Sequence, residues 1–237
     1  MARVTVRDDH PPFAPQAFLF DLDGVLVNSM RYHAAAWQCA VRTVLGTSVP
    51  RLDIYRREGE RGSVTAHDIL RLHRRRATPA AVRALLRWKE TAFMRRRTQI
   101  RPYPVARPLL ALLQRSKLPL ALVTGTSRAE VRRILPAWMR RRFTAVITGD
   151  QVRHGKPHPE PYRAACRRLR QDPRQVVVVE NAPFGIASAR AAGIGWVVGV
   201  ATSLPAAHLR QADVVLPSLK ALHRYLHGLL SSDRRSY

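Results

Sequence analysis

Residues 18–29 read FLFDLDGVLVNS and give the clearest indication of the fold. A short apolar run ends at Asp21, a second acid follows at Asp23, and Gly24 lets the chain turn sharply. Continuous rather than alternating apolar residues are typical of a strand in a sheet that is covered on both faces. Positions two apart at a strand end face the same side, so both carboxylates can approach one ligand. The stretch therefore predicts a buried strand that delivers two acids to one site.

Further apolar runs repeat this pattern along the chain. LPLALV ends before Thr124, TAVI before Thr148 and QVVVV before Glu180, while GWVVGV and ADVVL lie nearer the C-terminus. Helical patterns separate or follow them, at residues 105–115, 128–142, 159–170, 184–192 and 218–230. This alternation predicts an α/β fold with a doubly wound parallel sheet.

One interval lacks a strand pattern. Helix-like segments at residues 33–45, 65–76 and 79–97 are joined by a polar loop at 55–63. The sequence therefore predicts an all-α helical cap, residues 29–100, inserted into a catalytic core formed by residues 13–28 and 101–230. Residues 1–12 and 231–237 are expected to be flexible tails.

The composition is ordinary except for its charge. The chain has 237 residues, with 41 Lys and Arg against 16 Asp and Glu, and the resulting net charge of +25 permits contact with phosphate-bearing partners. Two cysteines, Cys39 and Cys166, cannot build a disulfide framework. The polar N-terminus does not resemble a signal peptide, and no stretch reaches the roughly 20 apolar residues of a membrane span. We therefore expect a cytoplasmic protein without a membrane partner.

Polar side chains follow the predicted strands, where the ligands of such sheets bind. They are Asp21, Asp23, Thr124, Lys156, Glu180 and Asn181. Oxygen ligands of this kind suit Mg²⁺, which typically takes one or two carboxylates plus phosphate oxygens and water. This edge therefore predicts magnesium-assisted phosphoryl transfer, in which an ionised aspartate acts as the nucleophile and a second one as the acid and base.

Each motif also has a simpler interpretation. DLDG is compatible with a solvated turn, whereas a calcium loop requires Gly and Glu at the positions of Leu26 and Tyr32. The segment that begins with Thr124, Gly125 and Thr126 is either a turn with an N-cap or a phosphate cradle at a helix N-terminus. A lysine in a loop is usually solvated, but Lys156 stands among only four lysines in an arginine-rich chain. That rarity favours a need for a compact point charge.

Taken together, four segments resemble the motifs of the haloacid dehalogenase superfamily. They are FLFDLDGVLVNS, LVTGTS, GKPHPEPY and VVVVENAPFGIASARAAG, in this order, within a similarity that runs from about residue 18 to 230. The chain is most similar to the sugar-phosphate phosphatases and β-phosphoglucomutases, which carry a helical cap after the first motif. The resemblance implies a Rossmann-like core and Mg²⁺ as the cofactor.

The resemblance also implies a role for each motif residue. Asp21 is the nucleophile that forms an aspartyl phosphate, and Asp23 is the general acid and base whose backbone carbonyl also binds the metal. Thr124 binds the transferring phosphoryl group and Lys156 bridges it to Asp21. The metal site comprises Asp21, Asp23, Glu180 and Asn181. The commonest fourth motif has two acids in succession, so Asn181 predicts a Mg²⁺ affinity that is weaker by about tenfold.

The cap offers weaker signals about the substrate. His33 and Trp37 share a helix face, and the resemblance points His33 toward the active site, although Trp37 also suits the cap core. The loop from Glu58 to Gly62 resembles the glycine-containing cap loop that reaches the substrate. Arg61 in that loop and Lys89, at the position where related mutases bind a distal phosphate, are further substrate-binding candidates.

These observations favour a phosphatase of a small phosphorylated metabolite, a sugar phosphate or phosphoglycolate, acting as a monomer or weak homodimer. A β-phosphoglucomutase-type mutase shares all of the motifs and stays open. A catalytically weak binding or regulatory protein is a third possibility, motivated by Asn181. Arginine triplets at residues 74–76, 95–97 and 140–142 suggest nucleic-acid binding, but they fan around their helices and form no single stripe.

Overall fold

Six short apolar runs form one parallel sheet in the computed structural model, which describes residues 10–232. The strands are β1 (Ala17–Phe20), β2 (Leu120–Val123), β3 (Ala145–Ile147), β4 (Val176–Glu180), β5 (Trp196–Val200) and β6 (Val214–Leu216). Their order across the sheet is β3-β2-β1-β4-β5-β6, and every neighbouring pair is parallel. The direction of winding reverses between β1 and β4. The predicted doubly wound sheet is confirmed, and this switch point is where such folds bind ligands.

Helices cover both faces of the sheet. The helices that follow the four-helix insert are α5 (Ala106–Arg115), α6 (Arg128–Ile134), α7 (Ala137–Arg140), α8 (Glu160–Leu169), α9 (Pro183–Ala191) and α10 (Leu219–Ser232). Phe18 and Phe20 of β1 belong to one apolar cluster with residues of α5 and α10. Ala17 and Leu19, which point the other way, belong to a second cluster with residues of α8 and α9. Burial of both faces explains why the strands are apolar throughout.

The prediction of a single helix over residues 128–142 is wrong. The structure ends α6 at Ile134 and begins α7 at Ala137, with Leu135 in an extended conformation at φ −89° and ψ 115°. Pro136 explains the break, because its ring clashes with a helical conformation of the residue before it.

The four helices between β1 and α5 pack on one another. They are α1 (Met30–Leu45), α2 (Arg51–Arg56), α3 (Gly62–Leu72) and α4 (Pro79–Met94). A third apolar cluster joins them and includes Trp37, Ile69 and Leu85. The predicted polar loop at 55–63 is shorter in the structure, since α2 and α3 leave only residues 57–61 between them. An insert with its own core supports the proposed helical cap, whose limits of 29–100 stay a prediction.

The ends of the chain add two details. Residues 231–232, predicted as part of a flexible tail, belong to α10. The predicted tails at 1–9 and 233–237 lie outside the described residues. Between residues 10 and 232, no helix combines the length and the apolar character that a membrane crossing requires.

Candidate active site

The carboxyl ends of three neighbouring strands deliver the predicted motif residues to one place. Asp21 follows β1 and donates its backbone N–H to the Val179 carbonyl at 3.0 Å, while Thr124 follows β2 and Glu180 ends β4. The side chains of Asp21, Asp23, Thr124, Lys156, Glu180 and Asn181 are all buried. The structure therefore brings together residues that are far apart in the sequence, at the switch point of the sheet.

Lys156 is the buried cation at the centre of this site. Its ammonium donates to Asp21 Oδ1 at 2.7 Å, to Glu180 Oε1 at 2.6 Å and to the carbonyl of Val123 at 3.0 Å, and the residue is 1% exposed. Three acceptors use all three N–H groups of an ammonium. A compact cation, rather than the planar fork of an arginine, fits this position, which explains a lysine in an arginine-rich chain.

The charges around Lys156 shift the titration of its neighbours. Burial raises the pKa of Asp21 to about 8, with Glu180 and Asp23 adding to the rise and Lys156 opposing it. Burial alone would lower the pKa of Lys156, but the charges of Asp21 and Glu180 hold it above its usual range. Two carboxylates that share one ammonium leave this site short of positive charge.

Asp23 is held by four donors. Ser29 Oγ and His33 Nε2 lie 2.5 and 3.1 Å from its Oδ1, and the hydroxyls of Thr126 and Thr124 lie 2.8 and 3.2 Å from its Oδ2. Burial would raise the pKa of Asp23, but the charge of His33 and the hydrogen bonds hold it below its usual range. The carboxylate is therefore fixed in position and kept as a proton acceptor in this arrangement.

Both oxygens of the Glu180 carboxylate accept hydrogen bonds from the protein. Its Oε1 accepts from Lys156 and, at 2.6 Å, from Tyr162, while its Oε2 accepts the backbone N–H of Asn181 at 3.0 Å. Oε2 accepts only one hydrogen bond and keeps a lone pair that a metal could use, and the role of Glu180 as a metal ligand stays a prediction.

Two buried oxygens fit a hard cation. Within residues 10–232, Asp21 Oδ2 and Asn181 Oδ1 are the buried side-chain polar atoms that have no hydrogen-bond partner. Asn181 donates through Nδ2 to Ser203 Oγ at 3.1 Å, which fixes its amide and leaves Oδ1 available. A β-carbon at Gly24, where φ is +86°, would collide with that amide nitrogen. Mg²⁺ binds preferentially to oxygen ligands, so Asp21 and Asn181 are suited to hold it.

The cap closes directly over this site. Gly59, in the loop between α2 and α3, has φ +80°, and a β-carbon there would collide with Cδ of Lys156. A β-carbon at Gly125, in the turn after β2, would meet the carbonyl oxygen of Gly59 at 2.7 Å. At Gly59 and at Gly125 the neighbouring atoms approach the backbone too closely for a side chain, which explains a glycine at both positions. The loop that contains Gly59 shields Lys156 from solvent.

A cavity of about 340 Å³ lies between the cap and the core. Its lining includes His33, Trp37, Arg61, Lys89, Gly125 and Thr126, which the sequence analysis proposed as substrate-binding residues. Trp37 also packs in the cap core, and its part in substrate binding stays a prediction. Lys89 forms an ion pair with Glu130 at 3.3 Å and lies 4.9 Å from the centre of the Phe93 ring.

Sequence reasoning missed several side chains at this site. Ser29 and Tyr162 hydrogen-bond to Asp23 and Glu180, and both lie inside motif segments that were read only for their charged residues. Glu58 lines the cavity beside Gly59. Burial, together with the charges of Asp23 and Asp21, raises the pKa of Glu58 well above its usual range. The sequence does point to Glu58, because it begins the cap loop, Glu58 to Gly62, that resembles a substrate-binding loop.

The side chain of His33, on cap helix α1, hydrogen-bonds to Asp23. Replacing His33 therefore tests the predicted role of Asp23 as the general acid and base. We expect His33→Ala to lower kcat for phosphate release by about tenfold and to change KM less than threefold, because Asp23 loses a positioning donor. Steady-state kinetics with the best substrate measure both constants, and His67→Ala, an exposed position on α3, is the control. An unchanged kcat would show that His33 does not position Asp23.

Comparison with known proteins agrees with this geometry. The family model for haloacid dehalogenase-like hydrolases matches residues 15–193. Validoxylamine A 7'-phosphate phosphatase of Streptomyces hygroscopicus subsp. limoneus is 33% identical over 214 residues, which cover 85% of this chain and 92% of that protein. Fructose-1-phosphate phosphatase YqaB of Escherichia coli K12 is 32% identical over 182 residues, which cover 74% of this chain and 92% of its own.

Solved structures show the same architecture. A protein of Bacteroides vulgatus, provisionally named a β-phosphoglucomutase, superimposes with a TM-score of 0.79 and 27% identity, covering 92% of this chain and 89% of its own. The family match spans more than half of the chain, and the four motifs meet at one sheet edge. The chain therefore belongs to the haloacid dehalogenase-like hydrolases.

Proposed function

We propose that the chain is a Mg²⁺-dependent phosphatase of a small phosphorylated metabolite, a sugar phosphate or phosphoglycolate. The observation that carries this proposal is the buried Asp21, which has one oxygen on Lys156 and the other without a hydrogen-bond partner. The names of the relatives, two phosphatases of phosphorylated carbohydrates or carbohydrate-like compounds, support the substrate class.

In the first step a carboxylate oxygen of Asp21 attacks the phosphorus and the bond to the leaving alkoxide breaks. Asp21 needs no base, because its carboxylate is already a nucleophile when ionised. Lys156 draws the incoming phosphate toward Asp21, and the hydroxyl of Thr124 binds the transferring group. Asp23 enters this step protonated, with the proton that water left on it in the preceding turnover, and gives that proton to the leaving oxygen. To reach the substrate it gives up donors such as Thr126.

In the second step Asp23 accepts a proton from water, which attacks the aspartyl phosphate and releases inorganic phosphate. Asp21, the backbone carbonyl of Asp23, Glu180 and Asn181 would hold Mg²⁺. The ion, when bound, offsets negative charge on the phosphate oxygens. The closed cap loop at Gly59 would limit the access of bulk water to the reacting groups.

The experiment that tests this function is phosphate release by the purified chain. Sugar phosphates, phosphoglycolate and nucleotides are incubated with the protein, with Mg²⁺ and with EDTA in its place. We expect release from at least one sugar phosphate that depends on Mg²⁺. Inactivity toward the whole set would contradict the proposal and favour a binding or regulatory role.

Asn181 allows the metal site to be tested separately. We expect Asn181→Asp to lower the Mg²⁺ concentration for half-maximal activity by about tenfold, because a second charge joins the ligand oxygens. Ser203 Oγ, which now accepts from the amide, can donate to the new carboxylate. Mg²⁺ titrations by calorimetry and by activity measure the change. Equal or weaker binding by the variant would show that position 181 does not face the metal.

A mutase is the second candidate function. The tightly closed cap and the similarity to the Bacteroides vulgatus protein favour it. β-Glucose 1-phosphate separates the two, since a phosphatase releases inorganic phosphate whereas a mutase forms glucose 6-phosphate.

We also propose that the protein is cytoplasmic, acts as a monomer or weak homodimer, and has no nucleic-acid partner.

A further inference from the structure

We propose that His154, His158 and Glu160 form a second metal site, which takes Zn²⁺ or a related late transition-metal ion rather than Mg²⁺. The three side chains lie where the lysine loop, which we define as residues 153–159, enters α8. One ligand atom from each side chain lies within 4.8 Å of the other two. The site goes beyond the proposed function, because its residues have no part in the proposed reaction.

His154 and Glu160 already form one edge of such a site. Nδ1 of His154 lies 3.1 Å from Oε2 of Glu160. Zinc holds imidazole nitrogens and carboxylate oxygens at about 2.0–2.2 Å, so two ligand atoms at a tetrahedral angle are about 3.4 Å apart. The observed separation is close to that value. A metal ion would take the place of the proton that now lies between the two atoms, and that proton would pass to solvent.

The carboxylate of Glu160 is oriented by the backbone of the lysine loop. Its Oε1 accepts the N–H of Arg153 at 2.8 Å, and its Oε2 accepts the N–H of His154, also at 2.8 Å. Hydrogen bonds from outside the ligand set fix the direction of a ligand before the metal arrives. The carboxylate is therefore already in place for an ion that lies beside the ring of His154.

His158 supplies the third ligand in a suitable protonation state. Its Nδ1 accepts the backbone N–H of Glu160 at 3.2 Å, so the proton of the neutral ring is on Nε2 and Nδ1 has a lone pair. The rings of His154 and His158 have their centres 4.5 Å apart. Both rings are exposed, so they can rotate to shorten the remaining separation, and water can then accept the N–H of Glu160.

The types of donor atom select the metal. Two imidazole nitrogens and one carboxylate oxygen, with water in the fourth position, are a common ligand set of Zn²⁺. Imidazole also suits Ni²⁺ and Cu²⁺, whereas Mg²⁺ prefers oxygen ligands. We therefore expect Mg²⁺ to bind at Asp21 and Asn181, and Zn²⁺ to bind at the two histidines even when Mg²⁺ is in excess.

A metal ion at this position would join the two ends of the lysine loop. His154 and His158 stand two residues before and two residues after Lys156. The hydroxyl of Ser188 already fastens one end, since it donates to the carbonyl of His158 at 2.6 Å. The ion would fasten the loop to α8 as well. Because a ligand that binds only the folded state stabilises it, Zn²⁺ should raise the temperature of unfolding.

Calorimetric titration of the purified chain with Zn²⁺ tests the site. A large excess of Mg²⁺ fills the candidate magnesium site, and near-physiological ionic strength screens the net charge of +25 beyond about 8 Å. We expect one Zn²⁺ per chain to bind with micromolar affinity. At a Zn²⁺ concentration of about 100 times Kd, the midpoint of thermal unfolding should rise by about 5 °C.

His154→Ala and His158→Ala each remove one ligand from the site. We expect each variant to bind Zn²⁺ at least about tenfold more weakly and to lose most of the rise in the midpoint. Both positions are exposed, so without Zn²⁺ the variants should unfold close to the native temperature. His67→Ala removes an exposed histidine from α3 and is the matched control, which should bind Zn²⁺ like the native chain.

Three results would overturn this site. They are the absence of micromolar Zn²⁺ binding by the native chain, displacement of the bound Zn²⁺ by excess Mg²⁺, and unchanged affinity in both histidine variants. The last two would place the ion elsewhere, for example at the carboxylates of the active site. Neither calorimetry nor thermal unfolding depends on phosphate release, so the outcome is independent of the proposed phosphatase function.

Discussion

The Asp21→Asn variant is expected to release phosphate at least about 10³-fold more slowly than the native chain. A carboxamide has the shape of the carboxylate but is a poor nucleophile, so the aspartyl phosphate cannot form. The amide oxygen can still accept from Lys156, which now donates to Asp21 Oδ1 at 2.7 Å. The large effect should therefore be on kcat, with the fold intact.

A continuous phosphate-release assay in excess Mg²⁺ measures this loss, and thermal unfolding checks the fold. Asp172→Asn is the isosteric control, because Asp172 is exposed, pairs with Arg174, and lies before the start of β4, at the opposite end of that strand from Glu180. Activity of Asp21→Asn within tenfold of the native value would show that Asp21 is not the nucleophile. Asp23 would then be the carboxylate to test next.

The sequence predicted the sheet and its chemical edge because both depend on local patterns. A strand covered on both faces must be apolar throughout, so runs such as AFLF and VVVV were visible without any knowledge of their partners. Because the strands are parallel, the residues that follow these runs lie at the same edge of the sheet. The hydrolase family was predicted from the resemblance of four motifs, and the family match confirms it.

The contacts within the site were not visible in the same way. The four donors to Asp23 come from residues 29 and 33 on one side and from 124 and 126 on the other, so their convergence depends on how the cap lies on the core. The approach of Gly59 to Lys156 depends on the same tertiary packing. No periodicity within a segment reports such contacts. The break at Pro136, by contrast, was readable and was overlooked.

Lys156→Met is expected to lower the free energy of unfolding by about 3–5 kcal/mol at pH 9.5, in addition to abolishing phosphate release. Methionine matches the length of lysine but leaves the carboxylates of Asp21 and Glu180 and the carbonyl of Val123 without their shared donor. Two buried negative charges would then repel each other with no cation between them. The loss of stability comes from the two acids that are left without a partner, since the methionine side chain is apolar and suits a buried position.

The pH dependence of this loss identifies its cause. A carboxyl whose pKa is raised in the folded state takes up a proton more readily there, so it stabilises the fold at low pH and loses this effect as the pH rises. Burial already raises the pKa of Asp21 to about 8 with Lys156 present, and removal of the cation raises it further. With a pKa of about 8, Asp21 of the native chain is mostly protonated at pH 7 and ionised at pH 9.5, whereas in the variant it keeps its proton to a higher pH. Urea unfolding should therefore show a smaller difference between variant and native chain at pH 7 than at pH 9.5. Lys220→Met, an exposed position on α10, should change neither value, and an equal loss at both pH values would attribute the instability to packing rather than to unpaired charge.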